Sequence, residues 1–125
     1  MSKSIFISTV FEDSHRIESL NTWAMTKRLG DVVITHETED KRIEGKEAIK
    51  AHIKNKIKGA GVVLVLIGKD THNHDWIEAE VELANSFHVK VVCIRIPNTS
   101  SPPPKILAYY SLVNFDPESI KKELN

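Results

Sequence analysis

The sequence predicts a three-layer α/β sandwich around a five-stranded parallel sheet, and three observations carry that prediction. Residues 62–67, VVLVLI, form an unbroken apolar run rich in β-branched side chains, which suits a central strand covered on both faces. Strand-like runs alternate with stretches of helical periodicity in the order β-α-β-α-β-α-β-loop-β-α. Such alternation gives parallel strands joined by right-handed crossovers, with helices on both faces. The chain of 125 residues has no internal repeat and suffices for one ordinary domain with a core. A single domain over 1–125 is therefore expected.

Ile5 to Val10 is the first strand. Asp13 or Ser14 is placed to cap a helix in which Ile17, Leu20 and Ala24 share a face, and Gly30 stops it. Trp23 falls off that stripe, so it either packs at the helix edge or marks a contact surface. Val32 to Thr35 reads as the second strand. The charged segment 37–45, ETEDKRIEG, lacks apolar periodicity and reads as a loop. From about Lys46 to Lys58, residues Ala48, Ile49, His52, Ile53 and Ile57 give a helical face. Lys46, Lys50, Lys54 and Lys58 form an i,i+4 column beside it, which reads as a solvated face or, alternatively, as a surface for an anionic partner. No aromatic residue is interleaved with it, as a single-strand nucleic-acid groove would require.

Gly59-Ala60-Gly61 leads into the central strand, and Gly68 ends that strand. A polar loop from Lys69 to Asp75 follows, and Asp75 is placed to cap the next helix. Val89 to Ile96 is the fourth strand. The segment from Pro97, PNTSSPPPK, can be neither regular helix nor interior strand. Leu112 to Phe115 is a short last strand, after which Asp116 caps and Pro117 starts a terminal helix.

Composition removes several function classes. The 17 basic and 17 acidic residues cancel, which argues against a general nucleic-acid binder held by backbone electrostatics. No apolar run approaches a membrane span. The opening Met1-Ser2-Lys3-Ser4-Ile5 enters a strand directly, without a signal peptide's apolar segment. The one cysteine, Cys93, lies in an apolar run and reads as a buried thiol. Together these point to the cytoplasm.

The third helix carries the most informative residue. At about 100° per residue, Trp76, Glu80, Leu83, Ala84 and Phe87 fall on one face, with Glu78 and Glu82 opposite. Glu80 thus sits within the stripe expected to face the sheet. An acid there must find partners, shift its pKa or line a cavity. It also lies near the carboxyl end of a central strand, where open α/β sheets bind ligands. A helix edge that tolerates an acid, or a lysine partner, would account for it more plainly.

Familiar motifs are missing. There is no G-x-x-x-x-G-K-[ST] loop, no G-x-G-x-x-G after the first strand and no G-x-S-x-G elbow. A phosphorelay receiver would place paired acids directly after the first strand, where this chain has Ser8, Thr9 and Val10, with Glu12 and Asp13 further on. His72, His74 and Asp75 lack the one-face geometry of a metal pair and no further ligands stand out, so no metal is expected.

The segments S-I-F-I-S (4–8), G-K-E-A-I (45–49), V-L-I-G-x-x-T (65–71) and W-I-x-x-E-V (76–81) resemble the TIR-like domains of bacterial antiphage systems. More narrowly, they resemble the signal-producing TIR-like subunit of Thoeris defence, over about Lys3 to Ile96. The resemblance implies a flavodoxin-like fold and chemistry on NAD as substrate, with no further cofactor. It places the catalytic glutamate of W-x-x-x-E at Glu80, beside Trp76. It implies a nicotinamide and ribose pocket at Ser8, Thr9, Val10 and Phe11, and a rim at Gly68 and Thr71. Two departures bear on the substrate's pose: Asn73 stands where the family often has a small serine, and the aromatic expected just after F-I-S is displaced to Phe11.

The reaction so implied breaks the bond between nicotinamide and ribose. The sugar develops oxocarbenium charge, which a neighbouring carboxylate stabilises. The expected product is a cyclic or conjugated ADP-ribose messenger for an effector protein, with self-association or a phage trigger as the switch. Neither nucleic acid nor membrane is an expected partner. Two other readings stay open: a non-catalytic module for TIR-TIR assembly, using Trp23, 37–45 and Pro97 to Pro104 as surfaces, and an enzyme resembling nucleoside deoxyribosyltransferases.

Overall fold

Each strand-like run of the sequence becomes a strand: β1 Lys3–Ser8, β2 Val32–His36, β3 Val62–Ile67, β4 Lys90–Arg95 and β5 Leu112–Asn114. The helices are α1 Arg16–Met25, α2 Lys46–Lys58, α3 Asp75–Ser86 and α4 Pro117–Leu124. The computed structural model describes residues 3–10, 13, 15–36, 46–71 and 75–124, the side chains of 46–49, 52 and 75 excepted. The five strands form one sheet in the order β2-β1-β3-β4-β5, and every pairing is parallel. This is the expected α/β, flavodoxin-like arrangement.

The core divides by strand alternation, since successive side chains point to opposite faces. Phe6, Val65, Ile67 and Cys93 pack with Ile53 and Ile57 of α2 and with Ile77, Val81 and Ala84 of α3. On the other face Ile5, Ile7, Leu64 and Leu66 meet Ile17 and Leu20 of α1 and Ile120 of α4. Between these layers every residue of β3 is buried, which explains its unbroken apolar run. Burial of one such side chain contributes about 1.5–3 kcal/mol.

Three local expectations are corrected. The capping position of α1 falls on His15, without a side-chain hydrogen bond, and not on Asp13; Ser14 lies outside the described residues. Nor does Gly30 stop α1. The helix ends at Met25 because Lys27 turns left-handed (φ 63°) and the Arg28 amide reaches back to the Trp23 carbonyl at 2.8 Å. Gly30, at φ 87°, serves the following turn into β2. On α3 the most deeply buried line runs through Ile77, Val81 and Ala84, while Trp76, Leu83 and Phe87 are half-buried at its margin. The stripe is wider than the sequence implies because α2 covers the helix as well as the sheet. Glu82, assigned to the charged face, pairs there with Lys50 of α2 at 2.6 Å.

Trp23 packs at the helix edge, its ring 5.1 Å from that of Phe115. The α4 start is as expected: Asp116 accepts from the Ser119 amide at 2.8 Å. The other end of α4 is held by Lys3 and Lys90, which donate to the carbonyls of Leu124 and Glu123. The Pro-rich stretch continues into a short 3-10 turn, Lys105–Leu107. The charged segment 37–45 lies outside the described residues. No helix among the described residues is long and apolar enough to cross a membrane.

Burial pushes the Cys93 thiol from 9.0 up to about 12. Between those values the unfolded chain releases a proton that the folded chain keeps, so this group's contribution to stability falls as pH rises from 9.0 to about 12. The thiol is therefore expected to resist iodoacetamide at neutral pH in the folded protein and to react once urea unfolds it. Rapid labelling without denaturant would contradict this burial.

Candidate functional site

The carboxyl ends of β1 and β3 are neighbours in the sheet, with Ser8 opposite Val65 in register. The connection from β1 carries the chain to α1 on one face, and that from β3 carries it to α3 on the other. Chain direction thus diverges between adjacent strands, and such a divergence opens the crevice in which α/β sheets bind ligands.

Ser8 lies on the α3 side of the sheet, sharing its alternation with Phe6 and Val65. It is fully buried, and its Oγ makes no hydrogen bond among the described residues. A fold gains nothing from a buried hydroxyl without a partner. That makes Ser8 a candidate ligand contact. Ser8→Ala is expected to leave the melting temperature unchanged or raise it, while weakening ligand turnover about tenfold, the value of one hydrogen bond of about 1.4 kcal/mol. A large loss of stability would assign Ser8 to the scaffold instead.

Thr9 is half-buried and its hydroxyl donates to the Val10 carbonyl at 3.2 Å. Phe11 lies outside the described residues, as do His72, Asn73 and His74. Gly68 and Thr71 are both buried and act together. The Gly68 amide donates to Thr71 Oγ1 at 2.8 Å, and that hydroxyl donates to the Leu66 carbonyl at 3.2 Å. Thr71 thereby closes the turn that carries the chain out of β3, and its hydroxyl is spent within the protein.

Asp13 is the residue that sequence reasoning misplaced. Its carboxylate lies against Gly68, so that a Cβ built on Gly68 would stand 2.1 Å from Asp13 Oδ2. Oδ2 is buried, and the Asp13 amide is fixed by donation to the Val10 carbonyl at 3.0 Å. The loops after β1 and β3 therefore touch at the crevice. A side chain at Gly68 would displace the Asp13 carboxylate.

Glu80 completes the arrangement from α3. It is 3% exposed, with Oε2 fully buried, one helical turn after the half-buried Trp76. Both occupy the layer that Ser8 faces. Ser8 of β1 and Glu80 and Trp76 of α3 thus lie on the same side of the sheet, a buried hydroxyl, a buried carboxylate and a half-buried ring. Among the described residues no group of three or more His, Cys, Asp or Glu could hold a metal ion.

Comparison with known families adds a finding independent of this geometry. A sequence model described as Thoeris protein ThsB, TIR-like domain, matches residues 6–101. The matched stretch contains Ser8, Asp13, Gly68, Trp76 and Glu80. No curated protein matches the chain.

Proposed function

Because the chain belongs to the Thoeris ThsB TIR-like domain family, a family of antiphage defence, we propose that it cleaves NAD at the nicotinamide-ribose bond and makes a cyclic or conjugated ADP-ribose messenger. The observation that carries this reading is the burial of Glu80 on α3, at 3% exposure, within the layer of the sheet that Ser8 faces.

The chemistry follows from that acid. Heterolysis of the glycosidic C–N bond sends the electron pair to the pyridinium nitrogen, so nicotinamide leaves neutral. Positive charge is left on C1′ and the ring oxygen. The Glu80 carboxylate stabilises that charge and accepts from the ribose hydroxyls. The substrate's pyridinium offsets the cost of burying the acid in the ground state. Ser8 donates to or accepts from the sugar, and Trp76 keeps water from that side. Phe11, through the family resemblance, stacks on the base. The cation is captured by water, by the adenine of the same molecule, or by a second acceptor. Capture by adenine closes a ring; capture by an acceptor yields a conjugate. NAD is substrate here and no cofactor enters. A diffusible product links the enzyme to a separate effector, with self-association or a phage signal as the switch.

The test is nicotinamide release from NAD, followed by chromatography with and without extract from phage-infected cells. Release under either condition supports the reading, and the nucleotide product names the messenger. A folded protein silent under both conditions would favour an assembly module instead. That second reading draws on the exposed Tyr109 and Tyr110 just before the edge strand β5 and on the exposed Leu112 that begins it.

A further inference from the structure

We infer that Arg95 forms an anion subsite at the carboxyl edge of the sheet, built to take a diphosphate. Arg95 ends β4, a strand otherwise apolar after Lys90, and follows the buried Cys93 and Ile94. Its register partner in β3 is Ile67, whose side chain belongs to the core on the α3 side. Arg95 therefore emerges on the face that also carries Ser8 and Glu80. Nη1 donates to the Ser101 carbonyl at 2.7 Å and reaches Thr99 Oγ1 at 3.5 Å. Both partners follow β4 in sequence, so the guanidinium stands beyond the strand's end, above the crevice side of the sheet.

The partners are neutral, and this decides the inference. The side chain is half-buried, yet no carboxylate pairs with it among the described residues. A guanidinium carries five N–H donors in a planar fork. The donors other than Nη1 make no hydrogen bond to a described residue. A partly desolvated cation with spare donors is complemented by an oxyanion, and the fork matches phosphate oxygens two at a time.

Spacing fits the same ligand. Neighbouring strands lie about 4.8 Å apart, which puts β4 roughly 10 Å from β1 across β3. A dinucleotide with its reacting ribose over Ser8 and Glu80 would extend its diphosphate across β3 toward Arg95, one ribose and its 5′ carbon away. Naming this anion the substrate's own diphosphate rests on the NAD reading; the subsite itself rests on Arg95. The plainer role for Arg95 is a strut that pins the segment after β4 through Ser101.

Titration calorimetry on the full chain separates these roles, with inorganic pyrophosphate and ADP-ribose as probes. Wild type is expected to bind both. Arg95→Met is expected to bind each about tenfold or more weakly, and Arg95→Lys to recover part of the loss. Thr99→Val removes the 2.7 Å bond from Thr99 to the Ile96 carbonyl and the 3.5 Å contact with Arg95 Nη1, loosening the same segment while keeping the guanidinium, so it is expected to lose clearly less affinity than Arg95→Met. Pyrophosphate binding without ADP-ribose binding would keep the subsite and identify a free phosphate as its ligand. Arg95-dependent binding of ADP-ribose in a protein that never cleaves NAD would keep the subsite and remove the NAD-cleaving reading. The inference is overturned if wild type binds neither probe, if Arg95→Met and Arg95→Lys bind as wild type does, or if Thr99→Val loses as much as Arg95→Met.

Discussion

Glu80→Gln is expected to fold and to release nicotinamide from NAD on the order of 100- to 1,000-fold more slowly than wild type. Glutamine keeps the shape of the side chain and removes its charge. Glu80 is 3% exposed on a helix packed against both sheet and α2, and glutamine occupies nearly the same volume as glutamate. The lost quantity is then electrostatic. A full negative charge beside an oxocarbenium-like sugar acts across a site from which water is excluded, where such interactions exceed their strength in water. An amide offers only a dipole. Glu80→Asp tests the same point by distance: it restores the charge one methylene further from the sugar and is expected to recover only part of the rate. Both variants should melt within a few degrees of wild type, measured on the samples used for kinetics.

Gly68→Ala is expected to cost about 1–3 kcal/mol of stability, the usual penalty for overpacking, and to lower activity in the protein that remains folded. The added methyl would stand 2.1 Å from Asp13 Oδ2, 2.9 Å from Cγ and 3.2 Å from Oδ1. The Asp13 carboxylate would have to rotate away, and its backbone is tied to the Val10 carbonyl. Relief comes from that rotation or from parting of the loops after β1 and β3, and these adjoin Ser8, which ends β1, and contain Thr71. Chemical denaturation of Gly68→Ala, Asp13→Ala and the double variant measures the coupling directly. The double variant should recover much of the stability lost in Gly68→Ala. Strict additivity would show that the two loops do not constrain each other.

Periodicity made the architecture legible. The run at 62–67 is buried at every position because β3 lies between two covered faces, and a residue in such a place has no polar face to show. Glu80 was visible for the converse reason: a charge among apolar positions is conspicuous when one face of a helix is buried. The breadth of that face was hidden, since the Lys50–Glu82 pair between α2 and α3 depends on how two helices meet. Turn chemistry was the weaker guide. Gly30 has the residue type of a helix stop, yet Lys27 takes the left-handed position.

Asp13 shows why site residues are harder than elements. Its residue type and position fit a helix cap, and only the proximity of β3 to β1 reveals that its carboxylate meets Gly68, 55 residues away. Arg95 left a sequence signal, a cation closing the apolar run VVCIR. Reading it required the register that sets it opposite Ile67. Both residues acquire their meaning from non-local pairing.

The most direct test of the central claim, that Glu80 supplies the charge that breaks the glycosidic bond, is a paired time course. Wild type and Glu80→Gln, at equal concentration and with matched melting temperatures, are incubated with NAD under the condition that activates wild type, and nicotinamide is quantified by chromatography. The account predicts release by wild type and little or none by Glu80→Gln. Equal release from both proteins would contradict it and remove Glu80 from the chemistry.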